Sequence, residues 1–344
     1  MRVAVISGAR AAEPMGLDLA ELRLLRALRD APTDLSLDIR VVGGRSARRY
    51  AQRLDARWVP ARGESLPRIA LRGADLIHLA GLDFPPPHRK PFVAMLYDLS
   101  PLHYNDEGVL PPWLDDVVER ARVIFTISEF IAAELVERAA VPAERVRVIK
   151  LAPALDARDA EPLSRDELRQ LGIEPPFVLR LGGYTRRKNV PLLLEAWAQV
   201  TSGTLVLAGP PQPARASILA GAPSLDRIVI LDYVPQPLLA RLLRSAAALV
   251  TTSSYEGFGL PPLEAMAAAT PVVAVTAPFV REVCGDAALL VERRPEALAN
   301  ALGRVLVDEE LARRLRAAGP PQAAGFTWSD AAVTVLSAYA TAFE

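Results

Sequence analysis

Short apolar runs of strand length recur along this chain, each answered by a stretch with helical periodicity, and the alternation starts afresh near the middle. Residues 3–7 read as a buried strand. Residues 18–29 follow as a helix, with Leu19, Leu22, Leu25 and Leu28 on one face. Further strands are expected at 37–42, 76–80, 92–96, 123–127 and 146–151, with helices at 112–122 and at 129–139, where Ser128 supplies the N-cap. A polar, acidic, proline-containing stretch at 152–163 has the composition of an interdomain linker. The pattern then resumes with strands at 177–181, 204–208, 228–231, 248–252 and 271–274. Helices are expected at 191–200, 261–268, 296–307 and 309–317, and a last amphipathic segment at 328–343. Near-continuous apolar strands separated by helices predict parallel sheets covered on both faces. The expected architecture is α/β, two Rossmann-like doubly wound domains over residues 1–160 and 161–325, with a terminal helix at 326–344. Folds of this kind bind ligands beyond the carboxyl ends of their strands.

A length of 344 residues exceeds what one core ordinarily serves, which also favours two domains. Lys plus Arg equals Asp plus Glu at 40 each, so no global basic field for nucleic acid exists. The single cysteine, Cys284, rules out a disulfide within the chain and fits a reducing, cytoplasmic setting. It reads as a small buried apolar residue. No apolar run reaches the roughly 20 residues of a spanning helix. Peripheral membrane contact stays open through Arg-rich segments such as 45–53, although a solvated helix face accounts for them more simply. The three histidines, His78, His88 and His103, are scattered, and neither a zinc pattern nor an Asp-x-Asp pair is present. A Gly-x4-Gly-Lys-Ser/Thr phosphate loop is also missing, and no Gly-x-Gly-x-x-Gly follows the first strand.

Two loops concentrate the chemistry. Ser253-Ser254-Tyr255-Glu256-Gly257-Phe258-Gly259-Leu260-Pro261-Pro262-Leu263-Glu264 runs from a strand through a glycine-bearing loop into a helix start. Prolines suit the first helical turn, glycines allow close backbone approach, and the free N–H groups there favour anions. Carboxylates such as Glu256 and Glu264 can accept hydrogen bonds from paired sugar hydroxyls. The second loop, Gly182-Gly183-Tyr184-Thr185-Arg186-Arg187-Lys188-Asn189, places three consecutive cations in a glycine turn, a reasonable clamp for a diphosphate. By itself the first loop reads sooner as an ordinary βα turn with solvated charges, and the second reads equally as a solvated loop or a clamp.

The first of these loops resembles the Glu-x7-Glu signature of family-4 retaining glycosyltransferases, which have the GT-B fold. The resemblance covers most of the chain and is strongest from residue 177 onward. It implies that Glu256 contacts the donor sugar. It also implies that Gly257, Phe258, Gly259 and Leu260 give backbone contacts near the sugar and phosphates, and that Glu264 holds the ribose hydroxyls. The second loop is similar to the family's Gly-Gly-x-x-x-Arg-Lys-Asn form, with Lys188 matching its phosphate-binding lysine, Arg187 beside it, and Gly182 and Gly183 on the donor. Many members carry Arg where Gly183 stands, and Arg186 or Arg187 is the compensation considered. Tyr233-Val234-Pro235 resembles a turn whose backbone contacts the nucleobase, placing Val234 against the base, with Asp232 in place of the usual Gly. Met95-Leu96-Tyr97-Asp98-Leu99-Ser100-Pro101-Leu102 is similar to a segment in which many members have His at the position of Tyr97. Asp98, His103 and Ser128 are assigned to the acceptor side. The loop at 8–16 lacks the family's Gly-Gly pair, and Gly16 is its nearest candidate.

The resemblance implies two domains facing across a cleft, the last helix returning to the N-terminal domain, and retention of anomeric configuration. The expected activity is transfer of a hexosyl residue from a nucleotide-diphosphate sugar, GDP-mannose or a UDP-sugar, to a glycan, lipid-linked or small-molecule hydroxyl. No metal and no cofactor are expected. The Gly-Gly form of the lysine loop resembles members that use GDP-mannose. Two alternatives stand beside this: a catalytically degenerate binding or scaffold subunit, and a sugar-nucleotide epimerase of the same architecture.

Overall fold

A computed structural model describes residues 1–8, 14, 16–63 and 65–343. The chain divides into two compact units, Met1–Ala154 with Thr327–Glu344, and Leu155–Phe326.

The first unit is built on a seven-stranded sheet. Its strands are β1 (Arg2–Ser7), β2 (Ser36–Gly43), β3 (Arg57–Pro60), β4 (Leu76–Leu79), β5 (Phe92–Met95), β6 (Ile124–Thr126) and β7 (Val146–Val148). Their order is β3-β2-β1-β4-β5-β6-β7 and every pairing is parallel. The second unit carries β8 (Phe177–Leu181), β9 (Thr204–Ala208), β10 (Ile228–Leu231), β11 (Ala248–Thr251), β12 (Val272–Val275) and β13 (Leu289–Val291). These are also all parallel, in the order β10-β9-β8-β11-β12-β13. In both sheets the chain begins in the middle, builds toward one edge, then jumps back past its first strand. That reversal leaves a crevice at the strand ends between β1 and β4 in one unit and between β8 and β11 in the other.

The strands are apolar because both faces are covered. Val3 to Ile6, Val178, Leu179, Leu205 to Leu207 and Val272 to Val275 are all buried. In the second unit Tyr184, Trp197, Leu298 and Leu302 join one core with these strands. The arginine-rich 45–53 segment forms a helix, Arg45–Leu54, that buries Ala47, Tyr50, Ala51 and Leu54. Its arginines lie on the opposite face. Pattern reading did not predict the strands Arg57–Pro60 and Leu289–Val291. It also missed the helices Arg165–Gln170, Ala214–Ala220, Gln236–Ser245 and Pro278–Cys284. The two strands are short and sit at sheet edges, where few apolar residues are needed to mark them.

The terminal helix Trp328–Phe343 belongs to the first unit. Trp328 donates from Nε1 to the Pro153 carbonyl at 3.1 Å, and the Tyr339 hydroxyl lies 2.6 Å from His78 Nδ1 inside the core. Burial holds His78 down to about 3, so the imidazole is neutral and the contact is a neutral hydrogen bond. Cys284 is fully buried and its thiol is pushed up to about 12 by burial, the behaviour of a structural cysteine. Among the described residues no helix is long and apolar enough to cross a membrane.

Candidate functional site

The crevice between β8 and β11 brings the two sequence loops together. After β8 the chain passes Gly182 at φ 123°, then makes a 3-10 turn over Arg186–Lys188. Asn189, at φ 47°, reverses the backbone into the helix Val190–Trp197. After β11 it runs through Ser253–Gly257 to Gly259, whose φ of 116° suits glycine, and enters the helix Leu260–Ala267 with prolines in its first turn. A Cβ on Gly259 would also stand 3.3 Å from the Phe279 ring.

The loops are zipped by hydrogen bonds to the carbonyls of Arg187 and Lys188. Ser254 N donates to the Arg187 carbonyl at 2.7 Å, the Ser254 hydroxyl donates to the same oxygen at 3.1 Å, and the Thr252 hydroxyl donates to the Lys188 carbonyl at 2.8 Å. The turn that carries both cations is thereby fixed against the strand that leads to Glu256. Lys188 Nζ donates to Glu256 Oε1 at 2.5 Å, while Arg187 donates to Glu256 Oε2 and to the Tyr255 carbonyl, the latter at 3.1 Å. The three side chains retain only 13–15% of their exposure, so their charges are largely out of water. Burial alone would raise the Glu256 carboxyl. Lys188 and Arg187 outweigh it and hold the group down to about 2. Burial draws Lys188 below its ordinary value, Glu256 restores part of that, and the neighbouring Arg187 opposes it. With the carboxyl so far depressed, the cluster is ionic at neutral pH.

Behind this cluster lies Arg180, inside β8 and only 3% exposed. It donates to the carbonyls of Gly182 and Gly183 and stacks over the Tyr184 ring at 5.3 Å. On the far side of the loop the Tyr184 N–H donates to Gln212 Oε1. Arg215 also approaches the Tyr184 ring, at 6.0 Å, and pairs with Asp232. Gln212 occupies the space a side chain at Gly183 would need, and Gly209 meets the Gly182 carbonyl so closely that no Cβ fits there. Sequence reading did not assign Arg180 or Gln212. The available signal was a charged residue within the otherwise apolar run Phe177–Leu181, which must be paired if buried.

The remaining donor-side positions are distributed as follows. Glu264 is on the helix Leu260–Ala267 and 8% exposed. Phe258 and Leu260 are buried, Phe258 against Phe326 at 5.8 Å, so their side chains are committed to the core. Val234 is buried just beyond β10, two strands from β8. In the first unit, Tyr97 and Asp98 follow β5. Asp98 Oδ1 accepts from the Ser100 N–H at 3.0 Å and from its hydroxyl at 2.7 Å. His103 Nε2 lies 2.7 Å from Glu134 Oε1, which ties this segment to the helix Glu129–Arg138 after β6. Ser128 is fully buried and caps that helix by accepting from Ile131 N at 3.2 Å. Of the loop at 8–16, residues 9–13 and 15 lie outside the described residues. Among the described residues, no group of three or more His, Cys, Asp or Glu could hold a metal ion.

Residues 164–321 match the model of the family described as Glycosyl transferases group 1. The chain is 29% identical over 281 residues to O-antigen chain mannosyltransferase B of Escherichia coli, a match covering 75% of this chain and 73% of that protein. It is 27% identical over 269 residues to the serotype-specific mannosyltransferase WbdA of the same organism, 72% of this chain but only 33% of that longer protein. In structure it is similar to Alr3699/HepE of Anabaena, crystallised with UDP and glucose. The TM-score is 0.75 at 16% identity, with 99% of both chains covered. The fold is therefore GT-B, the chain is related to mannosyltransferases, and this kinship in sequence and structure supports glycosyltransferase activity.

Proposed function

We propose that the chain is a retaining, metal-independent hexosyltransferase of family 4 that uses a nucleotide-diphosphate sugar and a hydroxyl acceptor. The observation that carries this reading is the Lys188–Glu256–Arg187 cluster at the strand ends of the second unit. Two cations held by one buried carboxylate are preorganised to exchange part of that pairing for a diphosphate. They then stabilise its charge as the glycosidic bond breaks. Lys188 and Arg187 act on the leaving diphosphate together with backbone amides of the loop at Gly257–Leu260. Glu256, released in part from its cations, takes the donor sugar's hydroxyls, and Glu264 takes the ribose. Gly182, Gly183 and Val234 complete the donor site, with Val234 against the base. Retention is assigned to attack on the same face, assisted by the leaving phosphate rather than by Glu256 as nucleophile. The acceptor side is assigned to the first unit, with Asp98, His103 and Ser128, and Tyr97 is assigned to catalysis. Of these, Ser128 and Asp98 already have local structural tasks. The mannosyltransferase names of the relatives favour GDP-mannose as donor over a UDP-sugar.

The test is thermal stabilisation by UDP-, GDP-, ADP- and dTDP-sugars in wild type and in Glu264→Ala, since a ligand bound only by the native state raises apparent stability with concentration. One nucleotide should shift the wild type and not the variant. Absence of any shift at excess ligand sinks the donor-site reading. It would favour instead a degenerate partner subunit, a reading that Tyr97 and Gly183 at two family positions already motivate.

A further inference from the structure

The lysine loop carries glycine where a cation is common in the resembling family, and Gln212 fills the space a side chain there would take. The charge is present nonetheless, one layer deeper. Arg180 reaches from β8 to the carbonyls of Gly182 and Gly183. Its Nη2 lies 3.9 Å, and Lys188 Nζ 3.7 Å, from the point a Cβ on Gly182 would occupy. Arg180, Arg187 and Lys188 thus surround the loop against the single carboxylate of Glu256. Three cations less one anion leave two positive charges, and counting Arg186 and Glu264 as well, one of each sign, leaves that surplus unchanged, the complement of a doubly ionised diphosphate.

The bonds made by Arg180 also set the loop's orientation. The only cis peptide among the described residues is Pro175–Pro176, so the peptides joining residues 182 to 184 are trans and each N–H points opposite to its carbonyl. With the Gly183 carbonyl drawn to Arg180, the Tyr184 N–H is directed away, and it does find Gln212 on the other side. By the same geometry, the Gly182 carbonyl drawn to Arg180 directs the Gly183 N–H away from it. That N–H makes no hydrogen bond among the described residues.

We propose that Arg180 is a positioning residue for the donor diphosphate: it anchors the Gly182 and Gly183 carbonyls, turns the Gly183 N–H toward the diphosphate, and supplies from beneath the loop a cation at its glycine end. An arginine suits the task because its planar fork bonds two carbonyls at once while lying on the Tyr184 ring. The proposal rests on the donor-site reading above.

The two can be separated by measuring dissociation constants of GDP and UDP, and of guanosine and uridine, for wild type, Arg180→Gln and Arg180→Lys. Arg180→Gln should weaken the preferred nucleoside diphosphate about tenfold while leaving its nucleoside within about twofold, because only the diphosphate senses the charge and the Gly183 amide. Arg180→Lys keeps the charge but not the fork, and should recover part of the loss. Equal loss for nucleoside and diphosphate would assign Arg180 a purely structural role. An unchanged diphosphate affinity in a folded Arg180→Gln would overturn the proposal outright. Should Arg180→Gln not fold, Arg180→Lys alone must show the selective loss, and unchanged affinity there overturns it. A wild type that binds neither nucleoside diphosphate sinks the donor-site reading instead.

Discussion

The two crevices have the same topology, and their described residues differ in charge. Between β1 and β4 the described residues of the first unit include two carboxylates, Asp83 and the buried Glu21. Gly8 N donates to Asp83 Oδ2 at 3.2 Å, a Cβ on Gly8 would stand 2.5 Å from Asp83 Cγ, and the buried Ser7 hydroxyl donates to Glu21 Oε1 at 2.5 Å. A backbone amide that could meet an anion is thus already engaged by the protein's own anion. Between β8 and β11 the second unit gathers Arg180, Arg187 and Lys188 around one carboxylate. The doubly wound sheet supplies a place in each unit, and the side chains at the strand ends decide the sign of what it accepts. On charge, the second crevice is the one that suits the diphosphate of the proposed donor.

The largest expected effect is at Lys188. Lys188→Ala should lower transfer kcat/KM by about 10²–10³-fold or more, the scale of removing one preorganised group from a developing charge. It should also weaken nucleoside diphosphate binding. Asp83→Asn, the corresponding change in the first crevice, should leave that affinity within about twofold. Titration of both variants with GDP and UDP checks the contrast. If Asp83→Asn costs as much affinity as Lys188→Ala, the assignment of charge to one crevice is wrong.

Glu256→Gln should separate binding from turnover. The variant releases Lys188 and Arg187 from their carboxylate, so nucleoside diphosphate affinity should hold or rise while kcat falls. Without ligand the variant should be less stable at neutral pH, because two largely buried cations lose their counterion. The Glu256 carboxyl is held at about 2 in the folded chain against an ordinary 4.5. Its contribution is therefore complete above about pH 4.5 and is lost as the pH falls toward 2. Unfolding midpoints of wild type and Glu256→Gln should converge through that window. Parallel midpoints from neutral pH down would show that Glu256 is not the ionised centre of the cluster.

Part of the second crevice is legible in the sequence, while the carboxylates of the first are not. The strands β1, β9, β11 and β12 are marked by continuous apolar runs, because parallel strands are buried on both faces. Glu256, Lys188 and Arg187 stand out through the resemblance of their loops to a family signature, because glycine and proline alone read as well as an ordinary βα turn. Arg180 was not legible, since a single charge in an apolar run looks like an edge or an exception until its partners are seen. Those partners are backbone carbonyls, which no sequence pattern records. The His78–Tyr339 bond joins positions 261 apart, beyond any local periodicity.

Glycine substitutions sharpen the comparison at an intermediate scale. A Cβ at Gly209 would stand 2.1 Å from the Gly182 carbonyl oxygen, a backbone atom that cannot turn aside. At Gly183 the obstacle is the end of the Gln212 side chain, at 2.4 Å, which can rotate away at the loss of its bond to the Tyr184 N–H. Gly209→Ala should therefore deform the lysine loop and weaken nucleoside diphosphate binding severely. Gly183→Ala should cost about 1 kcal/mol of stability, the net worth of one hydrogen bond, and a smaller share of affinity. Thermal unfolding with and without GDP or UDP ranks the two, and the reverse order would mean that Gln212, rather than the 182–209 backbone contact, sets the loop.

The smallest effect is expected in the first unit. Ser128 lies among the residues assigned to the acceptor, yet its hydroxyl accepts from Ile131 N at 3.2 Å and caps the helix Glu129–Arg138. Ser128→Ala should cost about 1 kcal/mol of stability. Ser128→Asp preserves an oxygen for the same N–H, but it places a carboxylate in a fully buried site, so it should be the less stable of the two. If Ser128 serves only as a cap, Ser128→Ala at a temperature where it stays folded should keep wild-type KM for acceptor and for donor alike. A raised acceptor KM with unchanged donor KM would give the residue a second task and bring the acceptor to the start of this helix. A loss confined to the donor would break the division of labour between the two crevices.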